Sequence, residues 1–391
     1  MGKRVDVGRV LETKEEVLAA LDRFEMETPS WGYGSGGTRF HVVRQPGSAR
    51  TVWERLEDAA AVHRFTGCAP RVAIHLPWDE VDDFPALAQF AEEHGVRVGA
   101  VNPNLFQRDE YALGSFTHPN ASIRRKALAH VRHCVEAMAA TGSNILSLWL
   151  PDGTNFPGQD NFLERKCRLE EALRETVEML PATARLLIEY KFFEPAFYHT
   201  DIPDWGFALL LANKLGPQAQ VLVDLGHHPQ GTNVPYIIAT LLSEGKLGGF
   251  HLNSRQYADD DLTVGSIDPY ELFLIFREIV AFFRTTAGAT ASAPIAYMID
   301  QTNALKPPFL AMVQAVIRAQ ELYAKALLVN EEALREAQHA GDLVRAEEIV
   351  REAFFTDVRP LLAEWRSRRG VPADPLAAAV AYQEKIAAGR G

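Results

Sequence analysis

Short apolar runs recur along this chain, and each is followed by a longer stretch with helical periodicity. The runs lie at residues 72–76, 96–101, 144–150, 184–190, 220–225, 248–252 and 294–299. The helical stretches follow at 83–94, 120–141, 161–180, 203–215, 234–244, 269–285 and 308–327. Residues 30–34, with a helix over 51–66, supply an eighth pair. Runs such as VLVDL and LLIEY are nearly continuous rather than alternating, as parallel strands covered on both faces require. Eight such units in about 300 residues predict an α/β fold, a closed (β/α)8 TIM barrel. A doubly wound open sheet would carry a glycine-rich phosphate turn after its first strand. Gly32, Gly34, Gly36 and Gly37 have the wrong spacing for that and read as a flexible loop.

Thr13 and Glu16 form a capping box that opens an N-terminal helix ahead of the barrel. Beyond residue 329 the composition turns to Ala, Glu, Arg and Leu. The expected organisation is a barrel domain over 1–329 and a helical extension over 330–391. That extension reads as two or three helices, packed on the outer ring or serving as a subunit contact. The net charge of −11 offers no nucleic acid footprint. Cys68, Cys134 and Cys167 have neither zinc-site nor disulfide spacing and read as free thiols of a reducing compartment. No apolar leader and no membrane-length apolar run is present, so a cytoplasmic protein without membrane contact is expected.

Functional groups of such barrels gather where the strands end. Here four successive apolar runs end in ionisable residues. They deliver Glu189 and Lys191, then Asp224, His227 and His228, then His251 followed by Asp259, Asp260 and Asp261, then Asp300. A charge inside an apolar run is costly unless it is paired or bound to a metal. Four runs that each accept this cost point to one shared polar site. Glu189, Asp224, His251 and Asp300 make a set that suits a hard or borderline divalent ion. His227, Asp259 and Asp261 offer a second set beside it, with Asp260 turned away. The earlier runs end in His75, Trp78, Asn102, Asn104, Phe106, Trp149 and Asp152. Their rings and amides suit the faces and hydroxyls of a sugar.

The strings IEYKFFEP, LVDLGHH and GFHLNSRQYADDDL, with the strand ending at Asp300, resemble the L-rhamnose isomerases of broad sugar specificity. These belong to the xylose-isomerase-like barrels, and the likeness runs from about residue 10 to residue 330. The resemblance implies one ion held by Glu189, Asp224, His251 and Asp300, and a second held by His227, Asp259 and Asp261. It implies Mn²⁺, or Mg²⁺, Co²⁺ or Zn²⁺, two per subunit, in a homotetramer. It places Lys191 near the reacting end of the sugar and His75, Trp78, Phe106 and Trp149 along the pocket. Phe40 resembles an aromatic residue that reaches over a neighbouring subunit's site.

The expected activity is interconversion of L-rhamnose and L-rhamnulose, with other free aldoses such as D-allose accepted. Lys191, Asp259, His227 and Asp300 are the expected catalytic residues. Lys191 would stabilise charge at O1, and Asp259 or a metal-bound water would move a hydroxyl proton. A 1,2-hydride shift and an enediol route both remain open. A ketose 3-epimerase on the same barrel and a metal-stabilised sugar-binding barrel are the competing readings.

Overall fold

The computed structural model describes residues 13–37, 41–194, 199–289, 294–301 and 304–390. Eight parallel strands close into a barrel in sequence order. They are β1 (Glu27–Pro29), β2 (Arg71–Leu76), β3 (Arg97–Pro103), β4 (Ile145–Leu148), β5 (Arg185–Glu189), β6 (Ala219–Asp224), β7 (Leu247–Leu252) and β8 (Ala296–Ile299). β1 closes the ring, Glu27 facing Arg71 of β2 and Met298 of β8.

Helix α1 (Lys14–Leu21) precedes the barrel. The outer ring comprises α2 (Val52–Thr66), α3 (Phe84–Glu93), α4 (Ala121–Thr141), α5 (Phe162–Met179), α6 (Trp205–Leu215), α7 (Val234–Ser243) and α8 (Pro269–Phe283), then the short α9 (Thr286–Ala289) and α10 (Pro308–Leu327). Thr51, Asp83, Asn120, Asn161, Asp204, Asn233 and Asp268 cap seven of these helices, each side chain accepting from a backbone N–H two or three residues on. The caps fix where each loop ends, and so how the strand-end loops are held.

The first strand differs from the expectation. It is Glu27–Pro29, and Ser30–Tyr33 forms a 3-10 turn instead. A strand of three residues has no periodicity to read. A β-carbon at Gly32 in that turn would lie 2.7 Å from Met312 Cε, so a larger residue there would displace the Met312 side chain.

Beyond the barrel lie four helices, not two or three: α11 (Glu331–Ala340), α12 (Leu343–Phe355), α13 (Arg359–Arg368) and α14 (Pro375–Arg390). The breaks are short turns such as Gly341–Asp342, hidden inside a continuously helix-favouring composition. These helices share the barrel's outer core through Leu334, Leu362, Trp365, Ala379 and Ile386. Trp365 Nε1 donates to Asp22 at 2.9 Å, and Arg390 reaches Asp58 on α2 at 2.6 Å. Cys68, Cys134 and Cys167 are free thiols. Among the described residues no helix is long and apolar enough to cross a membrane.

Inside the barrel, Ala73, Ala100, Ile145, Leu187, Leu222 and Met298 form an apolar plug. Strand side chains alternate between the two faces, so the residue two further on points inward again. Adding two to each plug position gives His75, Asn102, Ser147, Glu189, Asp224 and Asp300. His251, beside Asp224 in the β6–β7 register, completes this tier. The plug is the floor on which the polar groups stand.

Candidate active site

Above the plug lies a cavity of about 300 Å³. That is the small end of the range for ligand pockets, as a small polar ligand requires. One wall is aromatic. The His75 ring stacks on Trp78 at 3.8 Å, Phe106 lies edge-on to Trp149 at 5.0 Å, and Trp31 lies edge-on to His75 at 5.4 Å. Burial pushes His75 down to about 3, so its ring is neutral.

The opposite wall is charged. His251 Nδ1 lies 3.2 Å from Glu189, 3.3 Å from Asp300 and 3.7 Å from Asp224. His227 Nδ1 lies 2.9 Å from the Tyr190 carbonyl and 3.3 Å from Glu189, while its Nε2 lies 3.4 Å from Asp259. Ligand atoms of Glu189, Asp224 and His227, and of Asp224, His251 and Asp300, fall within 4.8 Å of one another in each group. His227 therefore joins the first cluster as well as facing the second. Asp261 lines the same cavity, and the Asn253 amide lies 3.4 Å from its carboxylate. Asp260 faces elsewhere, accepting from the backbone N–H groups of Gln256 and Tyr257 at 2.6 and 2.7 Å. Lys191 Nζ lies 2.7 Å from Asp259 and 5.2 Å from the Trp149 ring centroid.

The charges are out of balance. Burial, aided by Glu189 and Asp259 and opposed by His227 and His251, raises Asp224 to about 7. Burial also raises Asp261 and Asp300, and neighbouring carboxylates add to it. Burial opposes a charged His227 and a charged His251, yet the surrounding carboxylates outweigh it and raise them to about 10 and about 9. A divalent cation among these carboxylates would hold them ionised. His251 Nε2 is buried without a hydrogen-bond partner among the described residues. A β-carbon on Gly226 would meet Asp259 at 2.9 Å and Asp224 at 3.1 Å, so glycine leaves the two carboxylates room to converge. Carboxylate oxygen and imidazole nitrogen suit Mn²⁺, Mg²⁺, Co²⁺ or Zn²⁺. These groups can hold a divalent cation.

His75, Trp78, Phe106, Trp149 and Lys191 all line the cavity. Phe40 lies outside the described residues. Three contributors escape a reading by strand ends. Trp31 donates from Nε1 to Asp300 at 3.3 Å, but it stands in the 3-10 turn after an unrecognised strand. Asn253 donates to Asp224 at 2.9 Å and to the Asp300 carbonyl at 3.1 Å. Its place two residues past His251 was the available signal. Ser147 lines the cavity floor but, uncharged within an apolar run, carries no signal.

Residues 57–279 match the family described as xylose isomerase-like TIM barrel. A "probable sugar isomerase" of Rhizobium meliloti (strain 1021) is 40% identical over 96% of this chain and 88% of its own. Another, of Mesorhizobium japonicum, is 39% identical over 100% of this chain and 91% of its own. Among solved structures, an L-ribulose 3-epimerase superposes with a TM-score of 0.56 at 15% identity, over 82% of this chain and 97% of that one. A D-allulose 3-epimerase from Methylomonas sp. gives 0.55 at 14% identity, over 78% and 98%. At such identities the structural likeness speaks to the fold alone. The match over more than half the chain and the near-full-length likeness to two proteins named probable sugar isomerases make this protein a member of the xylose isomerase-like TIM barrel family.

Proposed function

We propose that the protein is a metal-dependent aldose–ketose isomerase acting on free monosaccharides, with L-rhamnose and L-rhamnulose as its principal pair and D-allose among its other substrates. The observation that carries this reading is the pairing of Lys191 with Asp259 beside the ligand cluster, in a cavity whose other wall is aromatic. Isomerisation redistributes charge between O1 and O2 while one hydrogen moves between C1 and C2. A divalent ion held by Glu189, Asp224, His251 and Asp300, with a second at His227, Asp259 and Asp261, would stabilise negative charge on neighbouring substrate oxygens. The Lys191 ammonium supports the charge at O1. Asp259, held as a carboxylate, accepts the hydrogen bond of the reacting hydroxyl, whose proton passes to O1 as the hydrogen moves between carbons. The rings of His75, Trp78, Phe106 and Trp149 cover the C–H faces of the sugar and exclude water.

The test is a ketose-forming assay on L-rhamnose, L-mannose, L-lyxose and D-allose, with Mn²⁺ and with EDTA. Manganese-dependent conversion of L-rhamnose is the expected result. Epimerisation of ketoses with no aldose converted would replace this reading with a ketose 3-epimerase. Ion binding without turnover of either class would leave a metal-stabilised sugar-binding barrel.

A further inference from the structure

The tier of inward residues above the plug divides into two kinds. On β5 to β8, Glu189, Asp224, His251 and Asp300 lean on one another. On β2 and β3, the His75 ring stacks against Trp78, and the Asn102 amide donates to the Ile74 carbonyl at 3.1 Å. Between these halves stands Ser147 on β4. It is 2% exposed, it lines the cavity, and its hydroxyl has no hydrogen-bond partner among the described residues.

A buried hydroxyl without a partner lowers stability. One tier below, alanine fills the inward positions 73 on β2 and 100 on β3, so the barrel interior accommodates a plain methyl group nearby. A serine at 147 is therefore accounted for by something that enters the cavity and completes its hydrogen bonding. Its location narrows what that is. Trp149, two residues further on, carries the Lys191 ammonium over its ring, and Leu187, the register partner of Ser147, directly precedes Ile188 and Glu189. A molecule reaching from the aromatic wall to the carboxylate cluster passes over Ser147. A hydroxyl both donates and accepts, so it can read another hydroxyl in one orientation and not the other.

We propose that Ser147 binds one hydroxyl group of the sugar and thereby sets which aldose stereoisomers the cavity accepts. This rests on the sugar isomerase reading of the same cavity. A site built to bind a hydroxyl discriminates strongly against the analogue that lacks it.

The test compares wild type and Ser147→Ala on the best-converted aldose and on its 3-deoxy and 4-deoxy analogues. The variant should lose roughly tenfold in kcat/KM on the parent sugar, mainly through KM. On the one analogue lacking the recognised hydroxyl, wild type and variant should be equal. An equal loss on every sugar would mark a merely structural role and overturn the inference, as would no loss on any. If wild type converts no aldose at all, the isomerase reading fails first. Calorimetric titration of both proteins with the alditols of the same sugars then decides Ser147 by itself. Weaker binding to Ser147→Ala upholds it; equal binding, or none, overturns it.

Discussion

Lys191 Nζ sits between two carboxylates, 2.7 Å from Asp259 and 2.8 Å from Glu194. Burial opposes its charge, but the two carboxylates outweigh that and hold the ammonium well above the usual lysine range. The amine is thus a fixed cation, unsuited to act as a base. Lys191→Met should lower kcat about a hundredfold or more, as removal of a preorganised charge stabiliser does. Bound metal, measured by elemental analysis, should remain. An unchanged rate would remove Lys191 from the chemistry.

The converging carboxylates make metal and stability one question. Saturating a divalent ion at about a thousand times its Kd adds roughly 4 kcal/mol, which for a chain of this size raises Tm by about 5 °C. EDTA should reverse that shift. Gly226→Ala places a methyl group where Asp224 and Asp259 converge, so it should weaken the ion-dependent shift more than it lowers the metal-free Tm. Equal shifts in wild type and variant would show that the ion binds elsewhere.

Much of this site was legible because a charged residue closing an apolar run is conspicuous. Glu189, Asp224, His251 and Asp300 each stand out in that way. Trp31 and Ser147 do not. Trp31 follows a strand too short to show a period, and Ser147 differs from a core residue only by a hydroxyl. The alternation of Asp259, Asp260 and Asp261 was readable as a pattern, yet which backbone groups Asp260 satisfies depends on a turn in which Asp261 takes a positive φ of 46°. Tertiary features of that kind leave no local trace in sequence.

A buried knot ties three strand-end loops together. Asp152 accepts from the N–H and hydroxyl groups of Ser115 and Thr117, and Arg165 bridges Thr117, Asp160 and Asp201. Asp201 N–H donates to the Asp152 carbonyl at 2.7 Å, and Lys191 N–H donates to the Ile202 carbonyl at 3.0 Å. Asp152→Asn keeps the shape but sets an amide against donors, at a cost of about 2 kcal/mol. It should also reduce kcat with metal content unchanged, because Lys191 is displaced. In a double mutant with Lys191→Met the two losses in kcat should be less than additive; full additivity would separate the knot from Lys191.

Asp58 and Arg390 give a pH-dependent clasp between α2 and α14. Burial raises Asp58 to about 6, with Arg390 and Tyr382 pulling it back. A carboxyl raised in the folded state contributes stability below its unfolded pKa near 4, and that contribution is lost as pH rises through about 6. Arg390→Ala removes the pull and extends the loss to higher pH. Its deficit against wild type should be small near pH 5 and reach about 3 kcal/mol near pH 8. Denaturant unfolding at both pH values measures this. A deficit independent of pH would mean that Arg390 acts through packing alone.

The route of the hydrogen can be read from the groups that could take it. A proton removed from carbon needs a base poised near neutrality. Burial favours a neutral Asp259, but its bonds to His227 and Lys191 outweigh this and hold it well below the usual carboxylate range. His227 would be engaged as a metal ligand, and its Nδ1 already faces the Tyr190 carbonyl. His75 is neutral but about as weakly basic as a carboxylate, at about 3. Asp224, raised to about 7, and Asp261 and Asp300, also raised, would be engaged as metal ligands, which favours direct transfer of hydrogen between C1 and C2. Turnover in D2O should therefore give product with little solvent deuterium at carbon. Deuterium incorporated at close to one atom per turnover would require a base at C1 or C2, and would reassign that role to Asp261 or Asp300, the two cavity carboxylates whose protonated forms burial favours.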